Sequence, residues 1–278
     1  MMPIAIVPRD VTIPWGKLAG VASAIQMQLA LHVRPHWGVE ASVAAFPSIA
    51  AVPDGYAFVY LVRDARGQAG LHFRPEHEDE PPMALVTYGS SLLWTHALSH
   101  EVIEMAVDPL GNRLFPGSEP GQPTRQVDFL AEICDPCQDL AFAYEMDGHP
   151  GIFVCDFCLP AFYGFGTASG QYTFRQAVSK PLSVAAGGYL SWRTADRQWF
   201  QLTSDSGEPC GPIPESQLFG AGPPSNLRGE LDRMKGGYRG PAGSSRTNRM
   251  SARAPATAGK GTARRNRLMT SYLRRLGV

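Results

Sequence analysis

Apolar and polar positions follow two different periods along this chain. Leu18, Val21, Ala22, Ile25 and Leu29 recur at mostly helical spacing, which predicts a helix over about 14–32, stopped before Pro35. Residues 39–46 alternate as a half-buried strand does, and 56–62 form a continuous β-rich run. Two shorter strands are expected at 70–74 and 83–88, around an acidic, proline-rich loop at 75–82. The helical period returns over 94–108, with Leu98, Val102 and Met105 as a compact apolar stripe and Pro109 as the stop. Residues 111–126 read as a loop punctuated by glycine and proline. Short strands are expected at 144–146 and 152–154, joined as a hairpin through 147–151, then at 172–174, 182–184, 189–192 and 199–202. Helix, strand, strand is the opening of an α+β or α/β layer. The late strands suggest a small β-rich appendix.

Composition adds a second division. The 278 residues are 44% hydrophobic and carry a formal net charge of zero. That zero joins two unlike parts. From Leu227 to the end there are 13 Lys/Arg against Glu230 and Asp232, a balance of +11, so residues 1–226 stand at −11. Past about residue 220 Gly, Ser, Pro and Arg displace the apolar pattern, as in segments too polar to form a core. This tail is expected to be disordered and to offer an acidic partner or nucleic acid a basic surface, or merely to solubilise. The N-terminus has neither a basic region nor a continuous apolar stretch of the kind a signal peptide needs, and no run approaches a membrane span. A cytoplasmic or virion-associated protein without membrane contact is the expectation.

The candidate chemistry lies in the 94–108 helix. His100-Glu101-x-x-Glu104 places His100 and Glu104 one turn apart on one face, where both can reach one ion. Glu101 projects about 100° around the helix, the position of the general base in H-E-x-x-H enzymes. Carboxylate oxygen is an acceptable zinc ligand. His96 and Asp108 continue the four-residue ladder, but a twelve-residue span of about 18 Å excludes one ion for all four. His96 is then core or a group behind the ligands, and Asp108 a turn former or supporting acceptor. A third ligand must come from elsewhere; Glu132 is the candidate, with Asp135 close behind.

Cys134-x-x-Cys137 and Cys155-x-x-Cys158 have structural-zinc spacing, and the intervening hairpin would bring the pairs together. Residues 154–159 read as strand, in which positions three apart face opposite sides. One ion on all four sulfurs therefore needs a bend in the chain. A second, structural zinc, cross-hairpin disulfides and buried free thiols all stay open. His32 and His36, near the exit of the first helix, are read as packing or surface residues. His72 and His77 flank the acidic loop as substrate-side groups or surface residues.

Taken together, Ser99-His-Glu-Val-Ile-Glu-Met-Ala-Val-Asp-Pro109, Glu132-Ile-Cys-Asp135 and Asp156-Phe-x-Leu-Pro-Ala-Phe-Tyr163 resemble a family of zincin-like proteins encoded by bacteria and their phages. The first two motifs also resemble plant phosphate-induced proteins. The resemblance spans residues 7–202 and leaves the basic tail unmatched. It implies an α+β, zincin-like mixed sheet with a central metal-binding helix over 1–165, a small β-rich portion over 166–220 and the tail over 221–278. It also implies Zn2+ held by His100 and Glu104, with Glu101 as base, and leaves the third ligand open among Glu132, Asp135 and Asp108. The expected activity is hydrolysis of a peptide or protein substrate. The alternative is a non-catalytic structural or phage accessory protein that keeps the metal as a brace.

Overall fold

The structure, a computed structural model, describes residues 1–73, 81–89, 93–165, 170–205 and 208–214. The basic tail, His77 and most of the acidic loop lie outside the described residues. What is described is mixed α+β, built on two five-stranded sheets.

The first sheet is organised by a strand that the sequence pattern hides. β1 (Met2–Pro8) pairs in parallel with β2 (Ala41–Ala45) on one side and β3 (Ala57–Val62) on the other. Ile4, Ala5, Ile6 and Val7 are all buried, so β1 shows no alternation to read. β3 in turn pairs in parallel with β5 (Met83–Thr87), and β4 (Gly70–Phe73) lies antiparallel on the outer side of β5. The order is β2-β1-β3-β5-β4, which leaves β4 at an edge.

Parallel neighbours need a crossover, and α1 (Trp15–Gln28) supplies it between β1 and β2. The expected stop before Pro35 is corrected. The helix runs on through a π turn at Leu29–Val33 into α2 (Arg34–Trp37), which Gly38 ends at φ 64°. Pro35 sits in the first turn of α2, the part of a helix that tolerates its missing N–H.

The central helix α3 (Leu93–Val107) packs on β3, β4 and β5 on one side and approaches α1 and the short strand at Phe153–Val154 elsewhere. Every residue from Trp94 to Val107 is buried. A surface helix with a solvated charged face is thereby excluded. His96, His100, Glu101 and Glu104 are polar groups inside the protein.

The second sheet corrects the reading of 111–126 as a loop. β6 (Leu114–Glu119) and β7 (Gln122–Leu130) form an antiparallel hairpin there. The first half of β7 is exposed on both faces, so the apolar alternation that marks a strand is missing. β8 (Tyr144–Glu145) and β9 (Phe153–Val154) make the expected small hairpin. β10 (Tyr189–Arg193), β11 (Trp199–Thr203) and β12 (Pro209–Ile213) extend the β6–β7 sheet in the order β12-β11-β10-β7-β6. The late strands thus continue a sheet begun before residue 130, and Leu190 and Trp192 enter the same apolar core as Ile4, Leu98 and Phe129. Residues 182–184 form no strand, and Thr173 contributes only a single bridge to Cys158. Among the described residues no helix is long and apolar enough to cross a membrane.

Candidate metal centre

Three elements converge on His100. Its Nε2 lies 3.2 Å from Oε2 of Glu104, one turn along α3. It lies 3.2 Å from Oδ1 of Asp135, which opens a 3-10 turn (Asp135–Cys137) just after β7. The other Glu104 oxygen accepts the backbone N–H of Cys134 at 3.2 Å, tying α3 to that turn. His100, Glu104 and Asp135 are each 2–3% exposed, and their ligand atoms lie within 4.8 Å of one another. Glu132, expected as the third ligand, is not in this group; its carbonyl accepts the Tyr163 hydroxyl at 3.4 Å. Asp135 takes that place because the turn at Pro136 brings it inward, where it is buried while Glu132 is only half-buried.

At 3.2 Å these separations lie at the long end of ordinary hydrogen bonds and just short of the spacing of two zinc ligands, so they are compatible with either. Donors about 2.0–2.2 Å from zinc in a tetrahedron stand about 3.3–3.5 Å apart. A charge-assisted N–H···O bond would close to about 2.7–2.9 Å, and one Nε2 proton cannot point at two oxygens. Burial works against the imidazolium, but the charge of Glu104 and hydrogen bonds to Asp135, Cys155 and Glu104 outweigh it. They hold His100 well above the ordinary histidine range. Two buried carboxylates still outnumber that single positive charge, and a divalent cation would balance them. His100, Glu104 and Asp135 thus form a group that could hold a divalent cation.

Glu101 points to the edge strand. A Cβ built on Gly70 would stand 2.7 Å from Cγ and 2.8 Å from Cδ of Glu101, so this carboxylate lies directly on the β4 backbone. Residues two apart share a strand face, which puts His72 on the α3 side as well. Its Nε2 is enclosed with no hydrogen-bond partner among the described residues, while the ring takes a bond at the carbonyl of Pro109. Burial and the neighbouring His100 push His72 down to about 4, against the opposing effect of that bond. His72 is thus half-buried, with its ring nitrogen enclosed and not on the surface. Its place near His100 comes from β4 folding against α3, which no local spacing signals.

Asp108 serves as a turn former. Its two oxygens accept the N–H groups of Asn112 at 3.0 Å and Arg113 at 2.9 Å. His32 is a packing residue, stacked on Phe174 at 4.6 Å and bonded to the Tyr144 hydroxyl at 2.9 Å, whereas His36 is exposed on the surface.

The four clustered cysteines are unbridged and wholly buried. They are matched across the hairpin, the Cys134 thiol donating to Cys155 and the Cys137 thiol to Cys158. Among the described residues the four sulfurs form no common ligand group; Cys134 and Cys155 instead group with His100. The expected continuous strand through 154–159 stops at Val154, and the chain turns so that the Cys158 N–H meets the Ile133 carbonyl at 2.7 Å. Cys155 is held from both sides, its N–H by Ser99 Oγ at 2.6 Å and its carbonyl by Gln28 at 2.8 Å. Its sulfur lies 3.8 Å from Nδ1 of His100 and also bonds His96. Burial raises the Cys155 thiol, but the bonds from Cys134 and both histidines overcome this and bring it well below the usual thiol value.

The 3-10 turn is fixed from the second sheet. Gly188 approaches so closely that a Cβ there would lie 2.8 Å from the Pro136 carbonyl carbon. Ala185 N–H donates to the Pro136 carbonyl at 2.8 Å, and Gln138 reaches the Gly187 carbonyl at 2.8 Å. No family model, curated protein or solved structure matches this chain.

Proposed function

We propose that this chain is a zinc-dependent peptidase of zincin-like architecture. The observation that carries the proposal is the position of His100 Nε2, 3.2 Å from a carboxylate oxygen of Glu104 and 3.2 Å from one of Asp135. When bound, zinc supplies a Lewis acid for the scissile carbonyl and lowers the pKa of water to about 7. Glu101 takes the proton of the attacking water and returns it to the leaving amine, as a buried carboxylate on the same helix can. Among the described residues β4 is an edge strand, to which an extended peptide would add as a further strand. Gly70 leaves room there for Glu101, and His72 faces the same side.

The test measures metal content and peptide cleavage together on wild type, Glu101→Gln and Glu104→Ala. Glu101→Gln should keep the ion and lose about 10²–10⁴ in cleavage rate, the usual worth of general acid–base catalysis. Glu104→Ala should lose the ion at this site and cleavage with it. A specific observation favours a second reading, a non-catalytic protein braced by its metal. Glu101, Glu104 and Asp135 are all almost fully enclosed, and anionic ligands weaken the Lewis acidity of zinc. Bound metal without cleavage of a broad peptide library would select that reading. A wild type that takes up no ion would end both.

A further inference from the structure

The imidazole of His100 has two differently furnished sides. Nε2 faces the oxygens of Glu104 and Asp135, while Nδ1 faces the sulfur of Cys155 at 3.8 Å. The ligand atoms of His100, Cys134 and Cys155 lie within 4.8 Å of one another, and all three residues are buried. We propose that His100 Nδ1, Cys134 Sγ and Cys155 Sγ form a second, sulfur-rich site for a thiophilic d10 cation such as zinc or cuprous ion.

The geometry agrees with the donor chemistry. Zinc about 2.3 Å from sulfur and about 2.0–2.1 Å from nitrogen sets N and S about 3.6 Å apart in a tetrahedron. The observed 3.8 Å needs only a small closure. Two thiolates and an imidazole select zinc and cuprous ion over magnesium or calcium. The donors are also positioned in advance. Ser99 and Gln28 clamp the Cys155 backbone, and the Cys134 N–H is tied to Glu104. His96, which bonds the Cys155 sulfur, offers a further nitrogen donor. Cys137 and Cys158 pair with each other and take no part. Two ions on one ring would require an imidazolate bridge. A cation on the sulfur side therefore opposes loading of the oxygen side.

Cadmium ion is the probe, added under reducing, oxygen-free conditions to full-length Cys210→Ala protein, which removes the exposed thiol. The expected result is an ultraviolet thiolate-to-cadmium charge-transfer band that saturates at one equivalent. It should persist when Glu104→Gln and Asp135→Asn are combined, and disappear with Cys134→Ser or Cys155→Ser. Because the oxygen-side variants keep the band, the outcome does not depend on peptidase activity. If a serine variant fails to fold, the 113Cd chemical shift of the parent protein decides, since two-sulfur, four-sulfur and all-oxygen coordination resonate in different ranges. A band that survives both serine variants, a four-sulfur shift, or no band with all thiols reduced would overturn the proposal.

Discussion

Nε2 of His100 stands 3.2 Å from Oδ1 of Asp135, although one belongs to the middle of α3 and the other to a turn that follows β7. Neither element can hold an ion alone. The pair exists because the second sheet presses the Asp135 turn onto the helix, through Gly188, Ala185 and Gln138. This contact leads to the first expectation. Asp135→Asn should lower zinc affinity by more than the roughly 10–100-fold lost with supporting groups, while Glu132→Gln should leave it unchanged. Isothermal titration with zinc on both variants checks this, and equal losses would remove Asp135 from its assigned role.

Gly70 is predicted to be intolerant of any side chain. Gly70→Ala drives a methyl into Cγ and Cδ of Glu101, and overpacking of this kind costs about 1–3 kcal/mol. Adding Glu101→Ala should return most of that loss, which a double-mutant cycle in urea would measure. Full additivity of the two changes would show that the contact carries no energy.

Ser99 links three parts of the structure. Its hydroxyl donates to the His96 carbonyl at 3.0 Å and accepts the Cys155 N–H at 2.6 Å. Ser99→Ala leaves a buried amide unpaired, at a cost of about 1–3 kcal/mol. The urea midpoint should fall accordingly, and an unchanged midpoint would mean that another acceptor replaces the hydroxyl.

The metal-free protein should lose stability in mild acid through His72. Its folded value of about 4 lies below the unfolded 6.5, so between these two pH values the unfolded chain binds more protons. The contribution is complete above 6.5 and is lost as pH falls towards 4. His100, shifted the other way, keeps its full contribution throughout this window, since both its folded and unfolded values lie at or above the upper limit. Wild type should therefore lose more unfolding free energy than His72→Phe between pH 6.5 and pH 4. Parallel profiles would show that His72 does not titrate there.

The sequence by itself determined the central helix, the pairing of His100 with Glu104 and the distinct direction of Glu101, because all three follow from a period of 3.6 residues. It also marked β3, β4 and β5 and the small β8–β9 hairpin, whose composition or alternation is local. Tertiary structure alone decided that β1 is the second strand of the first sheet, since an apolar run enclosed on both faces has no period to read. It decided that β6 and β7 pair where solvent exposure erases the pattern, and that the late strands join them. It brought Asp135, and not Glu132, beside His100 and Glu104, and it set Cys134 against Cys155 instead of closing four sulfurs on one point. Each of these outcomes depends on contacts between residues far apart in the chain, and spacing along a sequence carries no distance across a fold.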